Sequence, residues 1–177
     1  MKQTSTFGFW YGFNITSAIL IPCFFLLIPL LYAFEHFAQS VDITLEQQGV
    51  AFINQETVLA ITLTNASGTP LNAAEFEINF DPKAVTIQSI IPEHDLCEER
   101  FILTNNVQNA SGSASFACGT ITPFSDKTGT IARIHVIPLA VGTSSIYFTA
   151  SSTQVLAHDG QGTDATRKLQ NLVFTTL

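Results

Sequence analysis

An all-β domain, a nine-stranded jelly-roll sandwich preceded by one N-terminal transmembrane helix, is the fold class this sequence predicts, and three observations predict it. Residues 15–34, ITSAILIPCFFLLIPLLYAF, are uncharged and apolar. From residue 41 onward, apolar side chains alternate in short runs with the period of two that marks strands half-buried on one face. Turn-forming Gly, Pro, Asn and Asp separate those runs at intervals of about 8–12 residues, the spacing of sandwiches and barrels.

The helix comes first in the chain. Hydrophobic side chains make up 46% of the 177 residues and charged ones 12%, a balance that points to a segment living in lipid. No charge occurs between Lys2 and Glu35, and 15–34 supplies the roughly 20 apolar positions that cross a hydrocarbon core of about 30 Å. Pro22 and Pro29 are tolerated, because membrane helices carry proline more often than soluble ones. A cleaved signal peptide would have a shorter core, of about 7–15 residues, and small residues before the cut. Here Ala33 follows Leu31 and Ala38 follows His36. An uncleaved signal anchor is therefore expected, with 1–14 cytoplasmic or interfacial, 35–40 juxtamembrane and 41–177 exported, since Lys2 is the only basic residue before the helix. This makes the chain a single-pass membrane protein whose C-terminal domain lies outside the cell or on the outer side of the cytoplasmic membrane.

Cysteine usage agrees with that direction. Cys23 lies in the helix, leaving Cys97 and Cys118 as the only pair in the exported part. In an oxidising compartment the simplest reading is a disulfide. A metal or redox site built from Cys97 with His94 and Glu98 is the alternative, but the paired C-x-x-C spacing of thiolate zinc sites is missing.

The strands follow in order. VDITLE alternates Val41, Ile43 and Leu45, and TVLAITLTN sets Leu59, Ile61 and Leu63 against Val58, Ala60 and Thr62. In EFEINF, Phe76, Ile78 and Phe80 point one way while Glu75, Glu77 and Asn79 point the other. Asp81-Pro82 then breaks the strand, because proline offers no N–H to a ladder, and a new strand runs from Val85 through Ile91. The break reads as a corner in which Asp81 accepts N–H groups just beyond it. FILTNN, GSASFACG, TIARIHVIPL with Ala132, Ile134 and Val136 as core candidates, SSIYFTASS, TQVLAH and the terminal NLVFTTL complete nine or so strands. One all-β domain fits this length.

Three of these stretches, in this order, resemble the cohesin-like domain: VDITLEQQGVAFINQETVLAITLTN, AAEFEINFDPKAVTIQSI and GTIARIHVIPLAVGTSSIYF. The resemblance covers about residues 41–177. It implies a nine-strand jelly-roll sandwich related in fold to bacterial carbohydrate-binding modules. It also implies non-catalytic binding, either of dockerin modules in cellulosomes or of other partners on prokaryotic surfaces. The membrane helix, the single copy and the cysteine pair distinguish this chain from cellulosomal cohesins.

Residue chemistry argues against an enzyme. His36, His94, His135 and His158 are scattered, each read as a solvated surface side chain, and no G-x-S-x-G, H-E-x-x-H, Walker or Rossmann spacing occurs. A net charge of −7 with dispersed Lys and Arg argues against nucleic acid. In HDGQGTD, Asp159 and Asp164 flank two glycines and offer oxygen ligands for Ca²⁺, although the calcium-loop pattern lacks its middle acidic positions and closing Glu; a plain turn is the competing reading. No other cofactor is expected. For a sugar, Tyr147 is the domain's only tyrosine or tryptophan, with Asn105, Asn106 and Gln108 as hydrogen-bonding side chains. The expected function is protein binding or adhesion at the cell surface. A carbohydrate-binding module and a structural subunit of a surface filament are the alternatives.

Overall fold

A computed structural model describes residues 39–177. The expected segments 1–14 and 15–34, and most of 35–40, lie outside the described residues, as do Cys23 and His36. Among the described residues no helix is long and apolar enough to cross a membrane.

The described chain forms two sheets. The strands are β1 (Val41–Gln48), β2 (Thr57–Asn65), β3 (Leu71–Asn79), β4 (Val85–Pro92), β5 (Ile102–Gln108), β6 (Ser113–Phe124), β7 (Thr128–Pro138), β8 (Gly142–Phe148), β9 (Gln154–Ala157), β10 (Thr166–Gln170) and β11 (Leu172–Thr176). One sheet runs β10-β1-β2-β7-β4 and the other β11-β8-β3-β6-β5, with β9 also pairing β3. Every pairing is antiparallel except β1 with β10.

Eleven strands stand where nine or so were expected. The one with no counterpart among the stretches read from sequence is β10, TRKLQ, in which Thr166 is the one buried side chain and Arg167 and Lys168 are exposed. An edge strand of that kind carries no apolar alternation to read. The stretch SSIYFTASS also divides, because β8 ends at Phe148 and Ala150–Ser152 form a 3₁₀ turn. β6 in turn continues through Pro123 to Phe124.

The inward faces of the strands form one core. Leu59, Ile61 and Leu63 of β2, Phe76 and Ile78 of β3, Phe116 of β6 and Ile134 of β7 are all buried. Phe76 stacks on Phe116 with ring centroids 5.2 Å apart. On β7, Ile131 and Ala132 are both buried because a bulge sets both against the Ile61–Thr62 step of β2.

The Asp81-Pro82 corner carries the chain from one sheet to the other, from β3 to β4. Asp81 Oδ1 accepts the Lys83 N–H at 2.8 Å, and its carbonyl accepts the N–H groups of Ala84 and Val85 at 3.0 and 3.1 Å. Proline suits this position because the chain leaves the ladder there.

Candidate interaction face

Alternation along β3 decides what the outer surface of the six-stranded sheet displays. With Phe76 and Ile78 buried, Glu75, Glu77 and Asn79 face outward, and the registers align them in rows with their neighbours. One row reads Tyr147, Asn79, Ser113, Gln108 from β8 to β5. The next is Glu77, Ser115, Asn106, and the third is Gln154, Glu75, Ala117, Thr104.

The β6 contribution, Ser113, Ser115, Ala117 and Gly119, is small throughout. Those short side chains leave a trough between the longer ones of β3 and β5. A groove of about 390 Å³ lies over Glu75, Glu77, Thr104, Ser115 and Ala117, and Ser151 and Ser152 also line it. A second, of about 170 Å³, is lined by Glu77, Asn106, Gln108, Ser113 and Ser115. Glu77 borders both.

Glu75 and Glu77 are the only charges in these rows, and among the described residues neither has a cationic partner. Glu75 Oε1 accepts from Gln154 Nε2 at 2.7 Å, and Glu77 Oε1 lies 3.4 Å from the Thr149 hydroxyl. Neutral donors steady both carboxylates, so their negative charge stays available to a partner. On the opposite sheet most outer charges are paired, although among the described residues Glu46 of β1 has no cationic partner either. Arg133 meets Glu93 and Gln48, His135 Nδ1 lies 2.8 Å from Glu56, and Arg167 grips Asp42 through two nitrogens.

Of the side chains proposed from sequence as ligand contacts, Tyr147, Asn106 and Gln108 share this face, and Tyr147 is half exposed. Asn105 alternates away from it and donates to the Ile90 carbonyl at 2.9 Å. The sequence reading picked out none of Glu75, Glu77, Ser113 or Ser115 as contacts, although the EFEINF alternation already turned the two glutamates outward.

Cys97 and Cys118 are joined, with Cα atoms 5.3 Å apart, and both are buried. The bond ties the charged loop after β4 to β6. Glu98 completes that attachment: it accepts from the Ile121 N–H at 3.0 Å, the Thr120 hydroxyl at 2.9 Å and Arg100, which together hold its carboxyl below the usual range. His94 lines a shallow depression here with Glu98, Glu99 and Arg100.

In HDGQGTD both carboxylates accept donors from their own turn. Asp159 takes the Thr163 hydroxyl and, at 2.8 Å, the Gln161 N–H, which lower its pKa, while Asp164 takes the Thr166 N–H at 2.8 Å. Gly160 and Gly162 supply the positive φ these turns need. Among the described residues no group of three His, Cys, Asp or Glu side chains is arranged to hold a metal ion.

The family model of the cohesin domain matches residues 54–172. No curated protein matches the chain in sequence. Among solved structures, the third cohesin of ScaC from Acetivibrio cellulolyticus, in complex with the ScaB dockerin, is 18% identical with a TM-score of 0.67 over 77% of this chain and 99% of its own. The seventh ScaB type I cohesin from Pseudobacteroides cellulosolvens gives 16% identity and a TM-score of 0.64 over 77% and 92%. The cohesin module of the family 33 glycoside hydrolase from Clostridium perfringens gives 12% and 0.60 over 77% and 96%. With two sheets in this arrangement and a family match over most of the domain, the chain belongs to the cohesin-domain family.

Proposed function

We propose that this chain is a non-catalytic, membrane-anchored surface protein that uses the outer face of β8-β3-β6-β5 to dock a dockerin-bearing or other surface or secreted protein. The observation that carries the reading is the trough over β6, open and polar, with two carboxylates that lack cationic partners among the described residues. A face of small side chains lets a partner approach closely, and unpaired carboxylates favour Lys or Arg opposite them. Dockerin partners are named for related cohesins, including that of ScaC and the OlpA cohesin of Clostridium thermocellum. Anchoring rests on the apolar run 15–34.

The test uses the full chain in nanodiscs, with a panel of dockerin modules and a glycan array as analytes. Binding of a dockerin that falls at least tenfold in Ser115→Arg and Glu77→Arg supports the reading. Binding confined to glycans and abolished by Tyr147→Ala would replace it with the carbohydrate-binding alternative. A partner whose affinity ignores all three substitutions would move the site off this face.

A further inference from the structure

Each sheet of a sandwich has two edges, and an exposed edge presents unpaired N–H and C=O groups to any other strand. Three of the four edges here are guarded. Along β4, Asn109 takes both the N–H and the C=O of Ile87, and Asn105 takes the Ile90 carbonyl. β10 carries Arg167 and Lys168. β11 is covered by Gln47, whose Oε1 accepts the Thr175 N–H at 3.4 Å, and by the Ala51–Thr176 bridge.

The fourth edge, β5, has no such protection. No charged residue occurs between Arg100 and Asp126, and β5 itself, ILTNNVQ, holds no proline. Among the described residues, the backbone of 102–107 makes no hydrogen bond beyond its ladder with β6. A bulge at Leu103 distorts the start of the strand and leaves Thr104–Gln108 in regular register. Uncharged edge backbone from Thr104 to Val107 is thus available to a new strand through the alternate N–H and C=O groups that point away from β6, while the Gln108 carbonyl is held by the turn that follows.

We infer that β5 is a self-association edge that pairs antiparallel with β5 of a second copy of this chain, the two-fold axis passing beside Asn106. A second copy fits for a reason of symmetry. In an antiparallel pair centred on Asn106, Thr104 lies opposite Gln108 and Asn105 opposite Val107, so outward residues meet outward ones and inward meet inward. An uncharged strand facing itself suffers no like-charge repulsion. The pairing joins the two six-stranded sheets edge to edge and sets the two troughs side by side.

The experiment uses the full chain with Cys23→Ser, so that the Cys97–Cys118 bond leaves no other free thiol, solubilised in detergent micelles. Added Asn106→Cys gives a disulfide-linked dimer under mild oxidation, whereas added Lys168→Cys on the β10 edge does not. Asn106→Lys, which places two ammonium groups opposite each other, weakens the dimer at least tenfold in sedimentation equilibrium while the unfolding midpoint is kept. The inference is overturned if Asn106→Cys stays monomeric although its thiol reacts with a maleimide. It is equally overturned if a dimer persists undiminished in Asn106→Lys.

Discussion

The side-chain amide of Asn109 grips the backbone of Ile87 with two hydrogen bonds, accepting its N–H and donating to its C=O, each at 2.8 Å. Ile87 sits on β4, the edge of one sheet, and Asn109 follows β5, the edge of the other. The amide offers the same donor and acceptor that a neighbouring strand would, so it completes the ladder of an edge that has no neighbour. With Asn105 on the Ile90 carbonyl, it joins the two sheets along their open side.

Removing that amide exposes the arrangement to a direct test. Asn109→Ala leaves a part-buried N–H and C=O without partners, and each such group costs about 1–3 kcal/mol. Asn109→Asp keeps the acceptor but loses the donor, so it falls between the wild type and alanine. Urea denaturation at neutral pH should rank the three in that order; equal stability of alanine and wild type would show that the amide contributes nothing.

Gly112 makes the neighbouring turn. Its φ is +71°, and a Cβ added there would lie 2.2 Å from the Phe80 carbonyl oxygen and 2.9 Å from Pro82 Cδ. Gly112→Ala therefore forces the Asp81-Pro82 corner to move, and a loss of well over 2 kcal/mol is expected from clash and left-handed backbone together. Gly160 has the same kind of φ, +72°, with open space around it. Gly160→Ala should cost only the backbone term, about 1 kcal/mol, and comparing the two melting temperatures separates crowding from conformation.

The contrast between these two glycines shows what was legible beforehand. Period-two alternation revealed the sandwich, because a strand with one face in the core must carry its apolar residues at every second position, and Phe76, Ile78, Ala132, Ile134 and Val136 do so. The Asp81-Pro82 corner was readable because proline cannot continue a ladder. β10 was hidden by its exposed Arg167 and Lys168, since an edge strand buries too little to leave a pattern. The trough was hidden for a different reason. It consists of small residues on β6 set against long ones on β3 and β5, and strand order and register exist only once the chain has folded. Asn105 and Asn109 likewise differ from Asn106 only in which way their side chains turn.

The Cys97–Cys118 bond closes a loop with a sequence separation of 21 and holds it against β6. In the chain-entropy treatment a loop of about this size is worth roughly 3 kcal/mol. Replacing both cysteines by alanine removes that contribution and some buried volume as well, so the melting temperature should fall by more than reduction alone produces. Measured with and without a reductant, the wild type should shift and the double variant should not.

Acid should weaken the fold through a small set of carboxylates. The Arg167 guanidinium beside Asp42 holds its carboxyl below the ordinary range, the Ile121 N–H with Thr120 and Arg100 does the same for Glu98, and the Thr163 hydroxyl with the Gln161 N–H does so for Asp159. A carboxyl whose folded pKa is depressed stabilises the fold fully above its unfolded pKa, near 4 in order of magnitude, and loses that contribution as pH falls through the folded value. The melting temperature should thus hold steady from neutral pH to about pH 5 and drop below about pH 4. Glu98→Gln, which cannot titrate, should lower the melting temperature at neutral pH and flatten the acid drop. Asp42→Asn should do the same but less so in high salt, because its partner Arg167 is exposed and screening already weakens that pair. A wild-type acid profile reproduced by both variants would place the acid sensitivity in other carboxylates.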